Sequence, residues 1–230
     1  MKTWSKAFLL LLLIPGWVLG SAGWKNARSD YSWSFPADHW ARPGYRLEWW
    51  YFTGHLETVN HPQRRFSYQF TFFRIGLLPE PPESRSRWTA GNLILGHAAV
   101  GDLLNGRHRF SELLYREIPL LGGFPSFPHP LLAWSRAPAG TDGEWRLSWN
   151  GDRFTLSMRD DRQEFSFDLS TRPVKPLVLQ GPGGYSRKGD DSGSQYYSFT
   201  RLATEGELSV DGETFRVEGE SWMDKEFGSG

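Results

Sequence analysis

Two acidic residues near the end of the sequence have the chemical type and spacing for proton transfer. In "SWMDKEF", Asp224 and Glu226 alternate with Trp222, so in a strand the three side chains share one face. If aromatic residues enclose that face, burial raises the pKa of a carboxyl group and lets it hold a proton near neutral pH. The alternative is a solvated outer face opposite an apolar inner one, and a bulge at Gly219 would exchange the two faces.

A second segment, "EWWYFTGHLE", places one carboxylate before four aromatic residues. In a strand, Glu48, Trp50 and Phe52 share one face, and Trp49 and Tyr51 share the other. Aromatic residues on both faces are typical of a barrel wall that has a filled lumen on one side and a cover on the other. We therefore expect one face to line a ligand cavity and the other to pack under a further part of the protein.

Glu48 begins this strand, and we expect it at the barrel mouth, paired with Arg187, Lys188 or His39. Arg187 and Lys188 belong to the glycine-rich stretch "QGPGGYSRKGDDSGS". Two aspartates stand where a phosphate-binding P-loop has its lysine and hydroxyl, so this stretch is interpreted as a flexible connection. Its two basic residues can still meet the head group of a ligand.

Strand patterns dominate the rest of the chain and predict an all-β fold. "RRFSYQFTFFRI" alternates and puts Phe70 and Phe72 on one face. "NLILGHAAVGDL" is apolar on both faces, and its His97 is either a satisfied core histidine or a hydrogen-bonding group in the lumen. The dipeptides Asn150-Gly151 and Asp211-Gly212 predict hairpin turns. The segment 119–138 is rich in Pro and Gly and is predicted to be a loop folded over the barrel mouth.

Composition narrows the classes of partner. The chain has 230 residues with 26 basic and 26 acidic side chains, so no net field attracts nucleic acid. Aromatic residues make up 16%, with 12 tryptophans, which supplies ample area for a core or an apolar pocket. There is no cysteine, and the six histidines do not have zinc-ligand spacing. We therefore predict no metal site and no cofactor.

The N-terminus has the pattern of a secretory signal peptide over residues 1–22. Lys2 and Lys6 precede an apolar run, and Pro15, Gly16 and small residues follow it. The alternative, an uncleaved N-terminal anchor, fits the small-residue end less well. Without cysteine the protein is not a lipoprotein. We expect residues 23–46 to form an irregular arm and residues 47–230 to form one barrel domain.

Several blocks of this sequence resemble the carotenoid 1,2-hydratase family, also called the AttH-like family, in its secreted, lipocalin-like branch. The blocks are "FPADHWARPGYRLEWWYFTGHLE", "FSYQFTFFR", "GHAAV", "LQGPGGYSRKG", "QYYSF" and "SWMDKEF", in this order. The resemblance implies a lipocalin-like (calycin-type) antiparallel β-barrel that is the first of two tandem barrels. The second barrel is expected in the same polypeptide but is absent from this sequence, which either is truncated at Gly230 or has lost that domain.

The resemblance also implies a chemistry. Hydratases of the family add water to the terminal double bond of an acyclic carotenoid, with an aspartic acid that aligns with Asp224 as the proton donor. Trp222 stands where those hydratases have tyrosine, so the substrate is in doubt. Members of the secreted branch are often encoded beside transporters that resemble lipoprotein exporters, which implies an ABC-type exporter as a partner.

Two functions are consistent with these observations. The favoured one is a protein of the bacterial periplasm that binds a hydrophobic small molecule, a lipid or an isoprenoid, for an export or envelope system. The other is a carotenoid 1,2-hydratase-like enzyme in which Asp224 and Trp222 are catalytic; a structural interaction module would leave the aromatic face unexplained. The residues expected to contact the ligand are Glu48, Trp49, Trp50, Tyr51, Phe70, Phe72, His97, Arg187, Lys188, Tyr196, Tyr197 and Glu226.

Overall fold

The computed structural model describes residues 23–60, 64–80, 83, 86–189 and 192–229. The predicted signal peptide at 1–22 lies outside these residues. In the described part of the chain, no helix has the length and apolar character needed to cross a membrane. The strands are β1 (Leu47–Thr58), β2 (Arg65–Gly76), β3 (Asn92–Asp102), β4 (Arg107–Arg116), β5 (Gly122–Gly123), β6 (Leu131–Arg136), β7 (Glu144–Trp149), β8 (Phe154–Asp160), β9 (Phe165–Pro173), β10 (Val178–Leu179), β11 (Tyr185–Arg187), β12 (Gly193–Val210) and β13 (Glu213–Gly228). Two short 3-10 helices span Ala37–His39 and Pro182–Gly184.

All the strands belong to one antiparallel sheet in the order β4-β3-β2-β1-β13-β12-β9-β8-β7-β6-β5, with β10 and β11 paired to β12. The sheet curls until its two ends approach each other. Ser111 on β4 donates to Asp160 at the end of β8 at 2.5 Å, and the Tyr115 hydroxyl donates to the Ala137 carbonyl at 2.8 Å. The result is a nearly closed barrel. The prediction of an all-β, lipocalin-like antiparallel barrel is confirmed.

The barrel interior is filled by side chains. Residues of β1 and β2 alternate as predicted, and the inward ones include Trp50, Phe52, Phe70 and Phe72, all with 0% exposure. Other fully buried rings and long side chains meet them from the remaining strands and include Trp145, Phe154, Phe167, Tyr197 and Phe227. Because each of these side chains is at most 1% exposed, they line no space large enough for a ligand. Each buried aromatic side chain contributes roughly 1.5–3 kcal/mol by leaving water.

Hairpin turns were predicted at two dipeptides, and both occur where strands reverse. Asp211 and Gly212 have positive φ values of 54° and 83° and join β12 to β13, with Val210 opposite Glu213. Positive φ at both central residues is what a two-residue turn of type I′ requires. The turn at Gly151, with φ of 103°, is longer, because Trp149 pairs with Phe154 across it.

The segment 119–138 was predicted to be a loop, and here the prediction is wrong in part. It contains β5 and β6, because its apolar residues from Leu131 onward pair with β7. The part between β5 and β6 does cover one barrel end. Phe124 stacks on Trp50 with ring centres 5.6 Å apart, and the Trp40 indole donates to the His129 carbonyl at 2.8 Å.

The last strand keeps its alternation along its whole length. Gly219 pairs with Leu56 without a register shift, so the bulge that would exchange the faces of β13 is not formed. A Cβ atom at Gly219 would lie 1.9 Å from the His55 carbonyl oxygen, so only glycine fits this close approach of β1 and β13. The outward residues are Arg216, Glu218, Glu220, Trp222, Asp224 and Glu226, and the inward ones include Val217, Met223, Lys225 and Phe227.

Candidate functional site

Asp224 is held on the outside of the barrel by three hydrogen bonds to one carboxylate oxygen. Oδ1 accepts from the Tyr196 hydroxyl at 3.0 Å, the Ser198 hydroxyl at 2.5 Å and the Trp222 indole at 2.7 Å. The other oxygen, Oδ2, receives no hydrogen bond from the described residues. The carboxylate is therefore fixed through one oxygen while the second remains available to a bound molecule. Two orientations were left open for Asp224 and Glu226, and the structure has the outer one: both side chains lie on the outer side of the barrel wall, although Glu226 is only 4% exposed.

Strand pairing explains how these residues meet. Tyr196 and Ser198 are two residues apart on β12, so they share its outer face, and Ser198 lies directly opposite Asp224 on β13. Burial and the nearby Asp224 carboxylate raise the pKa of the Tyr196 hydroxyl to about 12. Tyr196 therefore keeps its proton at neutral pH and donates it to Oδ1.

Glu226 forms a second polar group beside the first. It accepts from Ser194, and Lys188 lies 2.8 Å away from its carboxylate. The Lys188 ammonium also lies 5.8 Å from the ring centre of Tyr196. The prediction that Lys188 pairs with Glu48 is thus corrected, because Lys188 reaches the outer carboxylate instead. Arg187 donates to the Gly189 carbonyl at 2.8 Å and does not reach Glu48 either.

Aromatic side chains flank both polar groups. On β1, Trp49 lies opposite Glu226 and Tyr51 lies opposite Asp224. We name the outward residues of these three strands, Trp49, Tyr51, Tyr196, Ser198, Trp222, Asp224 and Glu226, the Asp224 face. At one end of this face, a groove of about 320 Å³ is lined by Leu47, Trp49, Ile75, Lys188 and Glu226, among others. An apolar chain can lie in this groove with a polar group near the charged pair.

The inner face of the same strands carries a buried ion cluster around Glu48. Its carboxylate accepts from Arg74 at 2.9 Å, from the Arg42 amide at 2.9 and 3.0 Å, and from Lys225. Arg74 donates further to the Asn92 side chain at 2.9 Å and to the Tyr45 carbonyl at 2.5 Å. Glu48 is 0% exposed. The prediction that Glu48 lies at the barrel mouth beside Arg187, Lys188 or His39 is therefore wrong. Glu48 is instead the anionic centre of a buried ion cluster.

Charge and burial oppose each other in this cluster. Burial disfavours ionisation of Glu48, but Lys225 and Arg74 outweigh it, so the pKa of Glu48 lies below its ordinary value. Burial lowers the pKa of Lys225 to about 7, although Glu48 acts in the opposite direction. The Lys225 ammonium lies 3.7 Å from the ring centre of Trp50, where the π face offers further stabilisation of the cation.

The structure divides the residues that were expected to contact one ligand into two groups. Glu48, Trp50, Phe70, Phe72 and Tyr197 lie in the filled interior, so the expectation that they line a ligand cavity is wrong. The remaining β-wall residues, Trp49, Tyr51, Tyr196, Trp222, Asp224 and Glu226, come together outside.

His97 belongs to neither group. It lies on the outer face of β3, bonded through Nε2 to Glu112 at 3.0 Å, and its ring packs beside Phe73 and Phe110. It is therefore not a hydrogen-bonding group in the lumen. Its position is explained by the contacts with the Phe73 and Phe110 rings and by the bond to the exposed Glu112 carboxylate.

Several residues of these sites were not predicted from the sequence, among them Ser198, Arg74 and Lys225. Ser198 follows Tyr196 by two positions, which is the strand signal for a shared face. Lys225 falls on the apolar side of the alternation in β13, and a lysine on an inner face needs a buried carboxylate. That signal was present in the sequence, and the structure identifies the carboxylate as Glu48.

Within the described ranges, no group of three His, Asp or Glu side chains is arranged to hold a metal ion. The carboxylates of the Asp224 face are instead engaged by hydroxyl, indole and ammonium donors.

Comparisons with known proteins agree with this fold. The chain is similar to a candidate AttH protein from Nitrosomonas europaea, with 27% identity and a TM-score of 0.71, over 90% of this chain and 58% of that one. It also resembles kievitone hydratase from Nectria haematococca in fold, with 12% identity and a TM-score of 0.57, over 90% of this chain and 55% of that one. The chain thus spans little more than half the length of these solved neighbours. A search of curated proteins finds no significant match.

The family model described as AttH-like matches residues 26–230, which includes every strand of the barrel and both carboxylates of the Asp224 face. The chain belongs to the AttH-like family.

Proposed function

We propose that this protein binds an apolar ligand, a lipid or an isoprenoid, on the Asp224 face outside the barrel. The observation that carries this proposal is the fixed Asp224 carboxylate, with Oδ1 engaged three times and Oδ2 free of described partners, between outward aromatic side chains. Apolar sites with a few convergent polar groups are the usual form of a small-molecule site. The filled interior supports an external position for such a ligand.

The aromatic residues supply the binding energy. Trp222 is 38% exposed and Leu47 is 39% exposed, and Trp49 and Tyr51 lie between them on the same face of the sheet. Covering this surface with an acyl or isoprenoid chain yields roughly 25 cal/mol per Å² of apolar area buried. The Lys188–Glu226 pair, at 2.8 Å, is placed to hold a polar head group.

A further domain is proposed to complete the site. The outer row that contains Trp49 continues across Phe73 and Leu95 to Leu114, which is 59% exposed. Such a continuous apolar surface is typical of an interface, and both solved neighbours are substantially longer than this chain. A second barrel in the same polypeptide would cover the Asp224 face and enclose the ligand.

The proposed setting is the bacterial periplasm, with an ABC-type exporter as a partner in an export or envelope system. This part of the proposal rests on the signal-peptide pattern of residues 1–22 and on the family resemblance. Cell fractionation tests it: the mature protein should be released by osmotic shock, starting near residue 23. Retention of the protein with its leader in the cytoplasm would contradict it.

The experiment for the ligand is mass spectrometry of the organic extract from purified protein. We expect an intact lipid or isoprenoid in the wild type, a several-fold smaller amount in Trp49→Ala and Trp222→Ala, and an unchanged amount in His55→Ala, an exposed residue of the same β1 face. Equal ligand content in all four proteins would show that the ligand lies elsewhere.

A second candidate function, hydration of a carbon-carbon double bond, is favoured by the free Oδ2 of Asp224. A proton on Oδ2 would pass to the terminal alkene carbon, and the cation formed would be stabilised by the Trp222 and Tyr196 rings. Water then adds to the cation and returns a proton to Oδ2, so the net reaction is addition of one water. The fold likeness to kievitone hydratase agrees with such chemistry.

Asp224→Asn separates the two functions. An amide keeps the hydrogen bonds to Oδ1 but cannot deliver the proton, so an enzyme would accumulate the precursor, one water lighter than the product, with binding retained. Glu220→Gln is the matched control, because it removes an exposed outward carboxylate of the same strand that lies outside the Asp224 face. The same extract from wild type and Asp224→Asn would mean a carrier without chemistry.

A further inference from the structure

A second cavity lies at the barrel end where the N-terminal arm meets the turn between β7 and β8. It has a volume of about 570 Å³ and is lined by Phe35, His39, Trp149, Leu177 and Phe199, among others. It shares no lining residue with the groove of the Asp224 face. Its size falls within the range of small-molecule pockets, and its lining is mainly aromatic and aliphatic.

His39 is the polar group in the wall of this cavity. It is 3% exposed, and its ring packs beside Trp149 at 4.8 Å and Phe154 at 5.5 Å. Its Nδ1 lies 2.6 Å from the Tyr197 hydroxyl, and its Nε2 has no hydrogen-bond partner among the described residues. Although most of the His39 side chain is buried, Nε2 is not one of the fully buried polar atoms that lack a partner, so it is accessible from the cavity, where a bound molecule can pair with it.

The protonation of the pair follows from burial. Burial, with a smaller contribution from Lys225, lowers the pKa of His39 to about 3, so the imidazole is neutral. Burial raises the pKa of the Tyr197 hydroxyl well above its ordinary value, so this hydroxyl keeps its proton. Nδ1 of His39 is the only acceptor within its reach among the described residues, so the hydroxyl donates to Nδ1. The single proton of the neutral ring is then on Nε2. His39 therefore presents a donor without a partner.

We propose that this cavity binds an uncharged, largely aromatic molecule that carries one acceptor oxygen, of the class of aromatic ketones. The carbonyl oxygen accepts from Nε2–H of His39, and the ring packs among Phe35, Trp149 and Phe199. Asp152 also lines the cavity and is paired with Arg153 at 3.3 Å, so the described lining has no unpaired charge that would attract an ionic ligand. Phe35 is 40% exposed and leaves the cavity accessible from solvent. This site is separate from the proposed function of the Asp224 face.

Titration calorimetry of the full chain at pH 7 tests the polar contact. The probes are 2-acetonaphthone, which has the acceptor oxygen, and naphthalene, which lacks it. In His39→Asn, the shorter amide can still bond to the Tyr197 hydroxyl but no longer reaches the position of Nε2. One lost hydrogen bond should weaken 2-acetonaphthone binding about fivefold to tenfold and leave naphthalene binding nearly unchanged.

Two further variants test the location. Leu177→Trp fills the cavity and should abolish binding of both probes, whereas His55→Ala, an exposed residue that does not line the cavity, should leave both affinities unchanged. The proposal is overturned if wild-type protein binds 2-acetonaphthone no more tightly than naphthalene, if Leu177→Trp has no effect, or if His39→Asn weakens both probes equally. Near-ultraviolet circular dichroism verifies that each variant is folded.

Discussion

Lys225 and Asp224 are neighbours in the sequence, yet their side chains lie on opposite sides of the barrel wall and in opposite kinds of surroundings. Lys225 is fully buried and is paired with Glu48 beneath the Trp50 ring. Asp224 is partly exposed and is engaged through one of its two oxygens. The charge of Lys225 is balanced by Glu48 within the protein, whereas the Asp224 carboxylate keeps one oxygen without a hydrogen bond from the described residues.

Within strand β13, the inward residue Lys225 therefore contributes to stability, and the outward residue Asp224 is available for binding. A buried charge that loses its partner is costly, so the inner cluster around Glu48 fixes the register of β1 against β13 and tolerates little change. An exposed carboxylate with a free oxygen costs little to alter and can exchange water for a ligand. Substitutions on the inner face should therefore mainly lower stability, and substitutions on the outer face should mainly weaken ligand binding.

The largest expected effect comes from Glu48→Gln. The variant leaves Lys225 and Arg74 buried without an anionic partner, and we expect the free energy of unfolding to fall by about 3–5 kcal/mol. Asp224→Asn, the matched change on the outer face, should cost less than about 1 kcal/mol, because its amide oxygen still accepts hydrogen bonds. Urea denaturation of both variants measures the contrast. Similar losses in the two would mean that the Asp224 face is also a structural cluster.

A smaller contrast is expected between two adjacent tryptophans. Trp50→Phe removes the indole donor that bonds to the His39 carbonyl at 2.7 Å and leaves a small void in the core, which should cost about 2–3 kcal/mol. Trp49→Phe should cost about 0.5 kcal/mol or less, because Trp49 lies on the outer surface. Only the outer substitution should reduce the amount of copurified ligand. The opposite pattern would place the ligand inside the barrel.

Burial of Lys225 on the inner face also predicts how stability changes with pH. Burial lowers the pKa of Lys225 to about 7 in the folded protein, from an ordinary value of 10.5. Between these two values the unfolded chain holds a proton that the folded protein has released, so the free energy of unfolding rises with pH. The contribution of Lys225 should approach about 1.4 kcal/mol per pH unit within this window.

Lys225→Met is the control for this prediction, because methionine fills the space without titrating, and Glu48 keeps Arg74 as its partner. The difference in unfolding free energy between wild type and Lys225→Met should shift in favour of wild type from pH 7 to pH 10. A difference that is flat with pH would show that Glu48 and Trp50 hold Lys225 fully protonated throughout.

Much of the fold follows from short-range patterns in the sequence. The alternation in β2 predicted that Phe70 and Phe72 share a face, and the Asp211-Gly212 dipeptide predicted the last hairpin. Both depend on local geometry, a period of two along a strand and positive φ at two turn residues. These patterns therefore predicted an all-β fold, a barrel or a sandwich, and the family resemblance predicted the lipocalin-like barrel.

The position of the candidate site could not be inferred in the same way. Period-two alternation shows which residues share a face, but it does not show which face is inner, so Asp224 could be assigned to either side. Whether aromatic side chains fill a barrel or line a cavity depends on volumes summed over many strands. Lys225 shows which face of β13 is inner. Its side chain pairs with the buried Glu48, so the opposite face, which carries Asp224, lies outside the barrel.

The smallest effect is expected at His97, which tests the edge of the Asp224 face. Its contact with Glu112 is a surface pair at 3.0 Å, and such pairs contribute about 0–1 kcal/mol. His97→Gln should therefore change the free energy of unfolding by less than about 0.5 kcal/mol and leave the ligand content of the purified protein unchanged. A clear loss of ligand in His97→Gln would extend the binding surface from β13 across β1 and β2 to β3, beyond the carboxylate that is proposed to define it.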